Sequence, residues 1–108
     1  MQINEFQQNT SRTANPNLNR EQKLQNWALG IAGEAGEVVE LVKKHIYHGK
    51  PLDQDKMKSE LGDVLYYISE MASANHLSME EIAQYNIDKL RARYPEKFEI
   101  GGGRDRSL

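Results

Sequence analysis

Two short stretches of the chain share one chemical pattern. Glu34-Ala35-Gly36-Glu37-Val38-Val39 and Glu60-Leu61-Gly62-Asp63-Val64-Leu65 each run carboxylate, two residues, carboxylate, then two aliphatics, with a glycine just before the second acid. On a helix, residues three apart lie about 60° from one another around the axis and one turn along it. Both acid pairs therefore sit at the edge of an apolar stripe, formed by Ile31, Ala35, Val38 and Val42 in the first stretch and by Met57, Leu61, Val64 and Ile68 in the second. If two such helices pack antiparallel through those stripes, Glu34, Glu37, Glu60 and Asp63 converge. Four carboxylates at close quarters must take up protons unless cations sit among them. Hard oxygen ligands on facing helices suit Mg²⁺, with Mn²⁺ as an alternative. A single acid pair at this spacing is ordinarily a solvated helix face. Two matched pairs, each bordering a stripe, point instead to a cation site.

The elements that must hold these acids are legible as helices. Asn15-Pro16-Asn17 marks a loop after a short N-terminal helix carrying Ile3 and Phe6. Asn19 can cap a long helix from Arg20 to about Tyr47, ended by Gly49 and Pro51. Asp53 can cap a second, running to about Asn75. Ser78-Met79-Glu80-Glu81 has the form of a capping box opening a third, which Pro95 stops. The loop around Gly49 to Leu52 is short enough to make the first two long helices antiparallel neighbours. No stretch alternates as a strand would. The expected fold is all-α, an antiparallel bundle forming one domain over residues 1–100, with a flexible tail over residues 101–108 of glycine-rich, polar composition.

Composition narrows the function classes. A chain of 108 residues holds one core. Its mean hydropathy of -0.78 is low for a self-sufficient globule, so burial is expected to be completed by a second copy, as a homodimer or homotetramer. A net charge of -2 argues against a nucleic-acid partner. No apolar run reaches the roughly 20 residues of a membrane span, and the N-terminus lacks a leader's apolar core. With no cysteine, disulfides and thiolate chemistry are excluded, and a cytoplasmic location is the simplest expectation.

Glu34-x-x-Glu37 followed by Glu60-x-x-Asp63 resembles the signature of the MazG-like, all-α nucleoside triphosphate pyrophosphohydrolases. The wider phrases from Leu29 to Glu37 and from Glu60 to Tyr67, and the ending Lys89-Leu90-Arg91-Ala92-Arg93-Tyr94-Pro95, are similar to that family as well. The resemblance covers about residues 20–98. It implies conversion of a nucleoside triphosphate and water to the monophosphate and pyrophosphate, with the four acids binding Mg²⁺ and a metal-activated water attacking. Dimeric dUTPases, dCTP pyrophosphatases and phosphoribosyl-ATP pyrophosphohydrolases share the motif, so the base does not follow from it. A different class of function, a non-catalytic helical adaptor that keeps the fold and the cation site, shares the same sequence features and is separated from the enzyme by a turnover assay.

Further candidates each carry two readings. Lys44 lies nearly in line with Glu37, two turns on, where it can meet a phosphate or simply complement the helix dipole. Lys89 and Arg93 form a basic pair on the last helix, facing either phosphates or solvent. Trp27 lies about 20° from Glu34 and two turns before it, placed to stack on a nucleobase or to fill the core. Tyr66 and Tyr67 are expected to pack across a subunit boundary, and Glu40 to be a solvated acid. Gly30, Gly33 and Gly36 each weaken the helix that holds them, so a close approach is expected there, by a ligand or by another helix.

Overall fold

The computed structural model describes residues 1–98 and 100. The tail assigned to residues 101–108 lies outside them. Four helices follow in order: α1 (Ile3–Thr13), α2 (Arg20–His48), α3 (Gln54–Ala74) and α4 (Met79–Arg93). No strand occurs among the described residues.

The helix ends follow from local chemistry. Asn19 Oδ1 accepts the Gln22 N–H at 2.9 Å, and the Gln22 side chain accepts the Asn19 N–H at 3.0 Å, closing a reciprocal cap at the start of α2. Asp53 Oδ1 accepts from the N–H groups of Asp55 and Lys56. Ser78 Oγ accepts from Glu81 N–H at 3.0 Å, one half of the box expected there. At the other end of α2, Gly49 takes φ 66°, the left-handed conformation that turns the chain toward α3. His76 occupies the same region at φ 57°, after α3, without glycine's freedom from Cβ crowding.

α2 and α3 form an antiparallel hairpin. Glu34 faces Glu60 and Asp63, Gly30 faces Tyr67, Trp27 faces Tyr66 and Tyr67, and Arg20 reaches Asn75. Positions on one helix fall as those on the other rise, over about four turns. A Cβ on Gly30 would run into the Tyr67 ring, so the glycine lets the two helices close on an aromatic side chain. The Trp27, Tyr66 and Tyr67 rings pack edge-to-face or tilted, with centroids 5.1–6.3 Å apart. Within the chain Tyr66 and Tyr67 pack on Trp27 and remain half-buried.

α1 lies against α3 and α4, fastened chiefly by polar side chains. Gln7 Nε2 donates to Ser73 Oγ and the Leu77 carbonyl, while Gln7 Oε1 accepts from Met79 N–H. Asn4 and Glu80 exchange a second pair of hydrogen bonds. α4 packs on α1 rather than on the α2–α3 hairpin. The resulting fold is open: its Cα radius of gyration is 16.7 Å, against about 13 Å for a compact domain of 100 residues. Among the described apolar residues only Trp27, Ala72 and Met79 are buried, while Leu29, Val39, Ile46, Leu61 and Tyr85 are more than half exposed.

Candidate metal centre

The hairpin brings Glu34 from α2 to Glu60 and Asp63 from α3. One carboxylate oxygen of each lies within 4.8 Å of the others. Glu34 and Glu60 are half-buried, and Asp63 is exposed. Partial burial pushes the Glu34 carboxyl above its ordinary value, and the charge of Asp63, a hydrogen bond and charge from Glu60, and the charge of Glu37 all act in the same direction. Three acids brought this close on two helices have the composition and spacing of a hard-cation site.

Glu37 stands outside this group, exposed one turn nearer the loop. Sequence spacing placed four acids together; the side chains bring three within reach of one ion, while the fourth acts on Glu34 through its charge. Gly33, Gly36 and Gly62 have open space where a Cβ would stand, so these glycines leave the acid face uncovered. Only Gly30 serves helix–helix contact. Glu40, expected as a solvated acid, is half-buried.

The remaining candidates are dispersed. Lys44 is exposed in the last turns of α2, its carbonyl accepting the closing hydrogen bonds from Gly49 and Lys50. Lys89 and Arg93 ride on α4, away from the packed face of the hairpin. Arg93 is half-buried, and its Nε has no acceptor among the described residues. Trp27 is only 7% exposed, with neighbouring tyrosines against it, so no open ring face awaits a base. Its remaining edge borders a cavity of about 160 Å³ between α1, α2 and α3. Sequence reasoning missed the polar cluster beside that cavity: Thr10, Ser69 and Glu70 are all buried. The signal available was an acid at Glu70, two turns beyond Asp63 and nearly in line with it.

Comparison with known proteins decides the family. The MazG nucleotide pyrophosphohydrolase domain matches residues 22–98, which include all four acids and most of the chain. The chain belongs to the MazG family. It is also similar to the Gene 37 protein of Mycobacterium phage L5, 30% identical over 82 residues that cover 72% of each chain. No solved structure matches it. The MazG fold accounts for the all-helical architecture, and members of this family are divalent-metal dependent, which the acid group fits. No helix is long and apolar enough to cross a membrane among the described residues.

Proposed function

We propose that this MazG protein hydrolyses a nucleoside triphosphate to the monophosphate and pyrophosphate with Mg²⁺ as cofactor, limiting surplus or unwanted nucleotides in the cytoplasm. The observation that carries the proposal is the convergence of Glu34, Glu60 and Asp63 on an uncovered helix face in a chain of this family. The donor set fits a hard divalent cation: oxygen ligands only, from two rigid helices, with the Glu34 carboxyl raised above its ordinary value by burial and by the neighbouring acids. Such a cation supplies charge for the triphosphate oxygens and acidifies a bound water.

The chain's own residues do the rest. Glu34, Glu60 and Asp63 hold the cation, and Glu37 is assigned as the fourth acid of the set. The bare carboxylates repel a triphosphate, so they also make phosphate binding conditional on the metal. Lys44 extends the same helix face toward the loop and is assigned to a terminal phosphate. Lys89 and Arg93 are assigned to phosphate through assembly, since α4 is folded on α1 and a second copy is needed to seal the apolar faces at Leu29, Val39, Ile46 and Leu61. A homodimer or homotetramer supplies that cover. Among the described residues the half-buried Arg93 Nε meets no acceptor, which supports its assignment.

The test is release of pyrophosphate from a panel of ribo- and deoxyribonucleoside triphosphates with Mg²⁺. Pyrophosphate and monophosphate should appear in equal amounts, and Asp63→Asn or Glu60→Gln should abolish both while helicity is retained. Orthophosphate as the first product, or turnover indifferent to both substitutions, refutes the proposal. Absence of turnover with any substrate leaves a cation-binding helical adaptor in its place.

A further inference from the structure

The cavity beside Trp27 is built around a buried acid. Ser11, Asn15, Lys23, Trp27, Glu70 and Ser73 line it. Glu70 is 4% exposed, yet its carboxylate is only half used. Oε2 accepts from Thr10 Oγ1 at 2.8 Å and from Ser11 Oγ at 3.2 Å. The one Thr10 proton has two acceptors in reach, Glu70 Oε2 and the Gln7 carbonyl at 2.9 Å, and Ser69 Oγ lies 2.7 Å from the same hydroxyl, so a cluster of hydroxyls gathers at one oxygen. Among the described residues, no side chain donates to Oε1. Oε1 is thus left open to the cavity that Glu70 lines, where a donor can meet it.

The position of this acid relates it to the metal centre. Glu70 follows Asp63 by seven residues on α3, and Trp27 precedes Glu34 by seven on α2. Each lies nearly in line with its partner, about 10.5 Å along the helix. Because the helices are antiparallel, both displacements run toward the same end of the hairpin. The cavity is therefore set from the acid group by roughly the reach of a nucleotide from phosphate, across the sugar, to base. Tyr67, packed against Gly30, lies between Asp63 and Glu70 along α3.

We propose that this cavity receives the base of the nucleotide whose phosphates meet the metal centre, and that Glu70 selects bases bearing an exocyclic amino group. The inference rests on the phosphate assignment made above. An ionised carboxylate only accepts, so Oε1 matches an amino donor such as N4 of cytosine or N6 of adenine. Lys23 lines the same cavity from α2 and is assigned as donor to the ring nitrogen beside that amino group. Uracil, thymine and hypoxanthine place a carbonyl oxygen where the amino group would be, setting two acceptors face to face.

Matched monophosphates differing only at that substituent test the proposal: dCMP against dUMP, and dAMP against dIMP, with Mg²⁺ present. Binding is followed by calorimetry and by fluorescence of Trp27, the only tryptophan in the chain. For whichever ring size the cavity admits, the amino member should bind at least about tenfold tighter, the scale of a hydrogen bond to a charged group. Glu70→Gln turns an amide NH₂ toward the cavity and should erase or invert that ratio. The wild-type ratio alone decides the matter should the variant fail to fold. Equal affinities within each pair, no binding of either pair, or an unchanged ratio in a folded Glu70→Gln protein overturns the base assignment, even where pyrophosphate release is intact. Discrimination between the monophosphates without any turnover leaves the base assignment standing and refutes hydrolysis instead.

Discussion

Gly30→Ala isolates the closest approach in the hairpin. In an open helix interior, the change from glycine to alanine stabilises by about 0.5–1 kcal/mol through backbone entropy. At Gly30 the new methyl would overlap the Tyr67 ring, which is itself held between Trp27 and Tyr66. The ring cannot swing away without opening the aromatic cluster, and overpacking of this kind costs about 1–3 kcal/mol. The net expectation is a loss of about 1–2 kcal/mol, or roughly 4–8 °C in Tm for a chain of this size. Gly33→Ala one turn later has open space around its Cβ and should gain roughly 2–4 °C. Thermal melts followed by circular dichroism compare the two directly. In a Tyr67→Ala background the obstacle is gone, so Gly30→Ala should change sign and stabilise. A Gly30→Ala protein at or above the wild-type Tm, or the same loss in the Tyr67→Ala background, refutes the close packing on which the hairpin's register is argued.

Glu34→Gln removes charge from the acid group and should raise Tm in chelator while abolishing the rise that Mg²⁺ gives the wild type; a metal response that survives the change would separate Glu34 from the cation. The Glu34 carboxyl is raised above its unfolded value, so in chelator stability should fall as pH rises through it, and saturating Mg²⁺ should remove that fall in melts across the acid range. Thr10→Val keeps the shape of the side chain but withdraws a donor from buried Glu70, with an expected cost of about 1.5–3 kcal/mol in urea unfolding. His76→Gly relieves a left-handed residue at the end of α3 and should be stabilising by up to about 1 kcal/mol in the same assay.

The parts of this fold legible in the sequence are those that depend on one helix at a time. Asn19, Asp53, Ser78 and Gly49 act through their immediate neighbours, so helix limits followed from residue type. The meeting of Glu34 with Glu60 and Asp63 followed from period and a short loop, because the loop allowed one packing direction. Glu37 was less accessible to this reasoning: helical angle places it near the others, but its side chain remains exposed. The docking of α1 could not be read at all. It relies on Gln7, Thr10 and Asn4, polar residues that on their own helix look like solvent-facing positions. The apolar residues of α4 announced a face needing cover without saying which surface supplies it. His76 lacked the glycine that would have marked a left-handed turn.

The bridging position of α1 has a consequence for how the chain is made. The hairpin closes between neighbours in sequence, through a loop of a few residues, and can form as soon as α3 is complete. Asn4 and Glu80, by contrast, are 76 residues apart. During synthesis the first helix must wait for nearly the whole chain before its last partner emerges, and closing so long a loop slows that contact relative to the hairpin. α1 can therefore dock on α3 once the hairpin stands, while its contacts with α4 close last, around a hairpin already in place.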